Sequence, residues 1–308
     1  MTATTIDLRA RPITPDERAA YEWCRQYARR HDENFTVVSW FLPRALRPHF
    51  FALYAFCRWT DDLGDEAAGD RLALLDAWER DLRACFAGRR EALLFVALGR
   101  TIDEHNIPDE PFLRLIEANR MDQRVTRFGT YDDLLHYCEH SATPVGRMVL
   151  YVLGYRDPER QRLSDATCTG LQLANFWQDV SRDLPNGRIY IPLEDMRRFG
   201  YTEDDLRAGI ADERYRALMR FEVRRARMLF AEGRALEDMV DRGARADVRL
   251  FRLGGEAVLD AIERADYDTL SRRPRTGKAR KAWLALRCGA AMKLAGIVPA
   301  QQNQEPRT

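Results

Sequence analysis

Long apolar runs are missing from this chain. No stretch of about 18 apolar residues occurs in its 308, and Met1 to Pro12 carries Asp7, Arg9 and Arg11 where an export signal would be apolar. A membrane span and a cleaved signal are both unexpected, which makes the cytoplasm the expected compartment. Paired cysteines are missing too: Cys24, Cys57, Cys85, Cys138, Cys168 and Cys288 stand singly, with no CxxC pair and no Cys/His cluster at zinc spacing. They read as free thiols in a reducing compartment. Net charge is only +1, from 49 basic against 48 acidic residues, so no global field recruits nucleic acid and any electrostatic function has to be local. With 18 glycines and 13 prolines against 45% hydrophobic residues, the composition excludes collagenous and disordered chains and suits a helix-rich globule.

What is present is helical periodicity. Leu72, Leu75, Trp78, Leu82, Cys85 and Phe86 recur at three- and four-residue spacing, as do Tyr215, Leu218, Met219, Phe221, Met228 and Phe230. Asp109 before Pro111, Thr130 before Tyr131, Pro158, and Gly200 with Thr202 punctuate these segments. The pattern predicts about a dozen helices and no sheet. The clearest loop is Leu184 to Pro192, with Pro185, Asn186 and Gly187 as turn residues. No linker or repeat divides the chain, so residues 1–30 are expected as an extension and first helix, 31–298 as one all-α domain and 299–308 as a fraying tail.

Two acidic ladders carry the chemistry. An apolar segment, FFALYAFCR from Phe50 to Arg58, runs directly into Asp61, Asp62, Asp65 and Glu66. At a spacing of four, Asp61 and Asp65 share one helix face, as do Asp62 and Glu66, and like charges so placed repel. Alone, this motif reads as a solvated acidic helix end before it reads as a site. The second ladder, Asn175, Asp179 and Asp183, stands at i, i+4 and i+8 among Leu171, Leu173, Phe176, Trp177 and Val180, so its oxygens border a core. Carboxylates on two facing helices are what Mg²⁺ requires when it also keeps waters and phosphate oxygens. Arg58, Arg182 and Arg188 lie close enough in sequence to take further phosphate charge, or serve as ordinary ion-pairing residues. Apolar helices around such a site imply a long hydrocarbon with a pyrophosphate leaving group, ionising to a carbocation. Phe35, Phe51, Tyr54 and Phe176 either support cationic carbon through their rings or pack the core.

The motifs in order resemble the squalene and phytoene synthase family from His31 to about Ala290. YAFCRWTDDLGDE resembles the family's first aspartate-rich motif, LQLANFWQDVSRD the second and GRIYIP the loop after it. The resemblance implies the all-α isoprenoid synthase bundle around a central hydrophobic tunnel. It also implies Mg²⁺ held by Asp61, Asp65, Asn175, Asp179 and Asp183, with Arg58, Arg188, Tyr190 and Arg272 near the diphosphate.

Two departures narrow the expectation. Two residues after Tyr137, where squalene- and phytoene-forming members usually carry tyrosine, this chain has Glu139 within CEHSATPVG. The segment matching a Ser- and Lys-containing diphosphate grip reads HDENF, keeping His31 and Asn34 polar without the lysine. Both resemble the hydroxysqualene synthase branch, which implies loss of pyrophosphate from presqualene diphosphate with water capture. Under that reading, Glu139 orients the water and accepts its proton if its segment borders the tunnel; facing solvent, it does neither. The alternatives are condensation of farnesyl diphosphate to presqualene diphosphate, complete squalene or phytoene synthesis, and an inactive member serving as an assembly protein. No GxGxxG follows a strand, so no dinucleotide fold is expected.

Finally, Lys278, Arg280, Lys281, Arg287 and Lys293 accompany Trp283, Leu284, Leu286 and Met292. This composition suits either a terminal packing helix or an interfacial one giving peripheral contact with the inner membrane face. Enzymes upstream and downstream in the pathway are the other expected partners.

Overall fold

Helix starts in this chain coincide with capping chemistry. The Thr130 and Thr202 side chains each accept from the backbone N–H three residues on, while Asp133 and Asp205 reach back, completing two capping boxes. Asp70, Asp157 and Asp212 cap three more helices through their carboxylates. The computed structural model describes residues 14–31 and 43–277; Asn34, Phe35 and the basic stretch Lys278 to Lys293 lie outside the described residues.

Among the described residues the order is α1 Pro15–His31, α2 Arg47–Asp65, α3 Arg71–Phe86, α4 Leu93–His105, α5 Glu110–Asp122, α6 Tyr131–Ser141 and α7 Thr143–Val152. Then follow α8 Pro158–Asp183, a 3₁₀ turn Leu184–Asn186, α9 Leu193–Arg198, α10 Glu203–Arg207, α11 Glu213–Gly233, α12 Leu236–Met239 and α13 Arg242–Arg264. The architecture is all-α, and the described residues hold no strand beyond an isolated parallel bridge between Arg127 and Ile189.

Apolar faces assemble two principal cores. Phe56, Leu75, Trp78, Leu82, Leu98, Phe112 and Ile116 centre one among α1 to α5, with Tyr21, Cys24 and Ala28 of α1 buried in it. Leu134, Tyr137, Trp177, Tyr215, Leu218 and Phe230 centre the other, among α6, α8 and α11. The first aspartate ladder belongs to helix α2 of one core and the second to α8 of the other. A close approach of α2 to α5 depends on Gly64, where an added Cβ would stand 2.1 Å from Asn119 Oδ1. That approach brings Asn119 to Asp61.

Candidate active site

Three helices end on an aspartate: α2 on Asp65, α5 on Asp122 and α8 on Asp183. Carboxylates at the negative end of a helix dipole are unfavourable unless a cation joins them. Each of these acids lies near the loop after α8. Gly187, at φ 75°, turns the chain out of the 3₁₀ element. Ile189 N–H then bonds Thr126 O at 3.0 Å and Leu193 N–H bonds Phe128 O at 2.9 Å, fixing the intervening loop against the segment before α6. Arg188, held there, donates to Asp65 Oδ1 at 3.0 Å and lies in electrostatic range of Asp122 and Asp183. It therefore joins the two ladders.

The acids are poised as a group with too much negative charge. Burial, followed by repulsion from Asp65 and Asp122, pushes Asp61 up to about 6, although Asn119 donates to it at 3.4 Å. Asp61 is open to water yet walled by protein, as expected for the side of a cleft. Burial and repulsion from Asp179 likewise push Asp183 up to about 6. Asp122 reaches about 6 through burial, restrained by Arg188 and by Tyr137, whose hydroxyl donates to it at 3.1 Å. Asp179 is held by Arg273, which also donates to Gln178 Oε1 at 2.8 Å. Five carboxylates thus share two bonded guanidinium groups, and Asn175 is exposed one turn below Asp179. Hard oxygen donors with unmet negative charge fit Mg²⁺.

Below the ladders the surroundings become apolar. Tyr190 stacks on Phe176 with centroids 3.8 Å apart and planes at 7°, and Phe128 and Tyr137 extend the aromatic group. Cys57 lies one turn below Asp61, with its thiol pushed up by burial and by that carboxylate. Phe51 is buried in the first core and Tyr54 is half-buried beside it.

Several expected site residues are placed elsewhere. Arg58 pairs with Asp62 at 2.6 Å and Glu66 at 2.8 Å on the neighbouring face of α2, while its charge still reaches Asp61. Tyr27 donates to Asp62 at 2.7 Å, and His31 packs on Tyr27 with ring centroids 4.3 Å apart. Arg182 is exposed. Arg272 is exposed on the rim of a pocket shared with Arg264 and Arg275; its neighbour Arg273 takes the bond to Asp179. Glu139 requires a correction. Its side chain is 58% exposed and lies 3.4 Å from His136, because two residues along a helix turn it about 200° away from inward-facing Tyr137. It faces solvent and stands apart from the cleft.

Sequence reasoning missed Asp122, Asn119, Arg273 and Gln178. A signal was available for Asp122: an acid closing an amphipathic helix, in the place where a basic residue is favoured.

An all-α bundle in which one arginine joins two acidic ladders above a group of aromatic side chains matches the isoprenoid synthase class. Residues 28–280 match the squalene/phytoene synthase family, and the chain belongs to that family of isoprenoid diphosphate-processing enzymes. The structure of the squalene synthase HpnC from Alicyclobacillus acidocaldarius is similar at 54% identity and TM-score 0.81, over 84% of this chain and 98% of that one. A dehydrosqualene synthase solved with a ligand is similar at 25% identity and TM-score 0.83, over 91% and 98%. The 15-cis-phytoene synthase of Synechococcus elongatus is 36% identical over 270 residues, 82% of this chain and 87% of that protein. None of the described helices is long and apolar enough to cross a membrane.

Proposed function

We propose that the chain converts presqualene diphosphate to hydroxysqualene, as a lyase or transferase acting on isoprenoid diphosphates. The observation carrying this reading is the likeness to HpnC at 54% identity, joined to the ladders and to the HDENF and SATPVG segments. Asp61, Asp65, Asn175, Asp179 and Asp183 would hold Mg²⁺. When bound, the ion neutralises the departing diphosphate as a Lewis acid.

The chain's own groups do the rest. Arg188 and Arg273 sit at the two ladders, where each can exchange a carboxylate for a phosphate oxygen by a forked hydrogen bond. Phe176 and Tyr190, stacked on each other beneath the carboxylates, form an aromatic wall that shields cationic carbon from water. The carbon–oxygen bond to diphosphate breaks with its electron pair leaving on pyrophosphate. Water forms the new carbon–oxygen bond and gives up one proton, so no reductant is consumed. With Glu139 in solvent, the groups at the cleft able to take that proton are its carboxylates and the leaving pyrophosphate.

A second reading is head-to-head condensation to presqualene diphosphate, squalene or phytoene: relatives at 31–36% identity are named phytoene synthases, and HpnC is described as a squalene synthase. Incubation with Mg²⁺ and, separately, presqualene, farnesyl and geranylgeranyl diphosphates decides by product mass. Hydroxysqualene from the first supports the proposal; phytoene from the last, with presqualene diphosphate untouched, replaces it.

A further inference from the structure

Away from the aspartates, His49 near the start of α2 meets Glu104 and His105 at the end of α4. One ligand atom from each lies within 4.8 Å of the others. His49 precedes Asp61 by twelve residues on one helix, about 18 Å along the axis at 1.5 Å per residue, so this cluster is not part of the cleft.

Tyr21 and Thr101 hold the His49 ring from one side. Thr101 gives its hydroxyl hydrogen to Ala97 O at 2.9 Å, so its oxygen accepts. Tyr21 hydroxyl and His49 Nδ1 lie 3.2 and 3.1 Å from that oxygen. Tyr21 hydroxyl also lies 3.1 Å from His49 Nδ1, so either ring nitrogen can carry the proton; with it on Nδ1, donating to Thr101, the Nε2 lone pair faces Glu104 Oε1, 3.6 Å away. In that tautomer a lone pair faces a carboxylate, an arrangement that a cation between them relieves. His105 Nε2 is also buried without a hydrogen-bond partner, and its ring centroid is 4.4 Å from that of His49. Burial disfavours the charged form of both imidazoles, which keeps their lone pairs available.

We propose that these three side chains form a binding site for a Zn²⁺-class ion, with a fourth position open to water. Two ligand atoms about 2.0–2.1 Å from a tetrahedral ion stand about 3.3 Å apart, so the 3.6 Å between His49 and Glu104 closes by a few tenths. Two imidazoles and one carboxylate suit zinc rather than magnesium. The outer shell is present: Tyr21 and Thr101 orient His49, while Arg100 holds the other oxygen of Glu104 at 2.9 Å. Arg156 donates to His105 O at 2.6 Å and anchors the helix end, although its charge and that of Arg100 oppose the ion. Glu104 is exposed and provides an entry path. The ion clasps α2 to α4 at the end of α2 remote from the diphosphate cleft.

The test uses the full chain stripped by chelator and dialysed against Zn²⁺, with bound metal counted per chain and Co²⁺ absorption as a second readout. Asp61→Asn combined with Asp179→Asn removes two cleft carboxylates as competing ligands. That chain is expected to keep one tight Zn²⁺, with a tetrahedral Co²⁺ spectrum. His105→Ala and Glu104→Gln in the same background are expected to weaken it more than about 100-fold, and Thr101→Val about 10- to 100-fold. Absence of tight Zn²⁺ in the Asp61→Asn, Asp179→Asn chain, or its retention in Glu104→Gln, overturns the proposal and leaves the cluster a hydrogen-bonded core. Should His105→Ala fail to fold, Glu104→Gln decides, since that change keeps the side chain's size and shape.

Discussion

Arg188 and Asp65, 123 residues apart, meet at 3.0 Å. This contact ties the end of α2 to the loop after α8, and so joins helices that belong to different cores. It also places one guanidinium in range of three acids, Asp65, Asp122 and Asp183.

Arg188→Ala is expected to lower turnover about 100-fold or more, because it removes both the diphosphate donor and the bridge. Arg188→Lys should recover only part of the loss, since an ammonium cannot make the forked bond. Steady-state kinetics checks this, with circular dichroism confirming an unchanged helical signal.

Asp61→Asn and Asp179→Asn should each reduce turnover about 100-fold or more. Neutralising either removes repulsion within a ladder, so the melting temperature without Mg²⁺ should stay level or rise. A calorimetric scan in EDTA beside an activity assay measures both.

In the metal-free protein the three cleft acids should add stability as pH falls from 7 to about 5, against an opposite contribution from His49 and His105, whose charged forms burial disfavours. Asp61, Asp122 and Asp183 titrate near 6 when folded, against about 4 when unfolded. At these acids the folded chain therefore binds more protons across that window, and their contribution declines as pH rises through it. Glu222 and Asp247, pushed up to about 8 by burial, act in the same direction at higher pH. Mg²⁺ should flatten the part due to the three cleft acids, which urea melts with and without the ion will show.

Gly64→Ala should cost roughly 1–3 kcal/mol by forcing α2 from α5. Because the clash is with the Asn119 side chain, Gly64→Ala with Asn119→Ala should restore most of the stability in urea melts. Activity should remain low, since Asp61 has then lost its hydrogen-bond donor.

Glu139→Gln should leave the ratio of pyrophosphate to alcohol product at the wild-type value. The side chain is exposed beside His136, and parallel assay of the two products measures the ratio directly.

The ladders were legible in the sequence because a four-residue spacing on a helix is a local fact, and helix starts were legible because capping is local chemistry. Asp122 and Arg273 were not, since their partners lie on other elements: Tyr137 on α6, and Asp179 some 94 residues before Arg273. For Arg58, proximity in sequence to Asp61 did not reveal that its bonded partners are Asp62 and Glu66. Glu139 turned on helical phase. Its segment does border the aromatic group through Tyr137, but two residues further on the helix points outward.

The most direct measurement is release of pyrophosphate from presqualene diphosphate as Mg²⁺ is titrated, with hydroxysqualene quantified in the same samples. The account predicts saturable dependence on Mg²⁺, loss in EDTA and in Asp179→Asn, and one hydroxysqualene for each pyrophosphate. Full release in EDTA, or no release at saturating Mg²⁺, would contradict it.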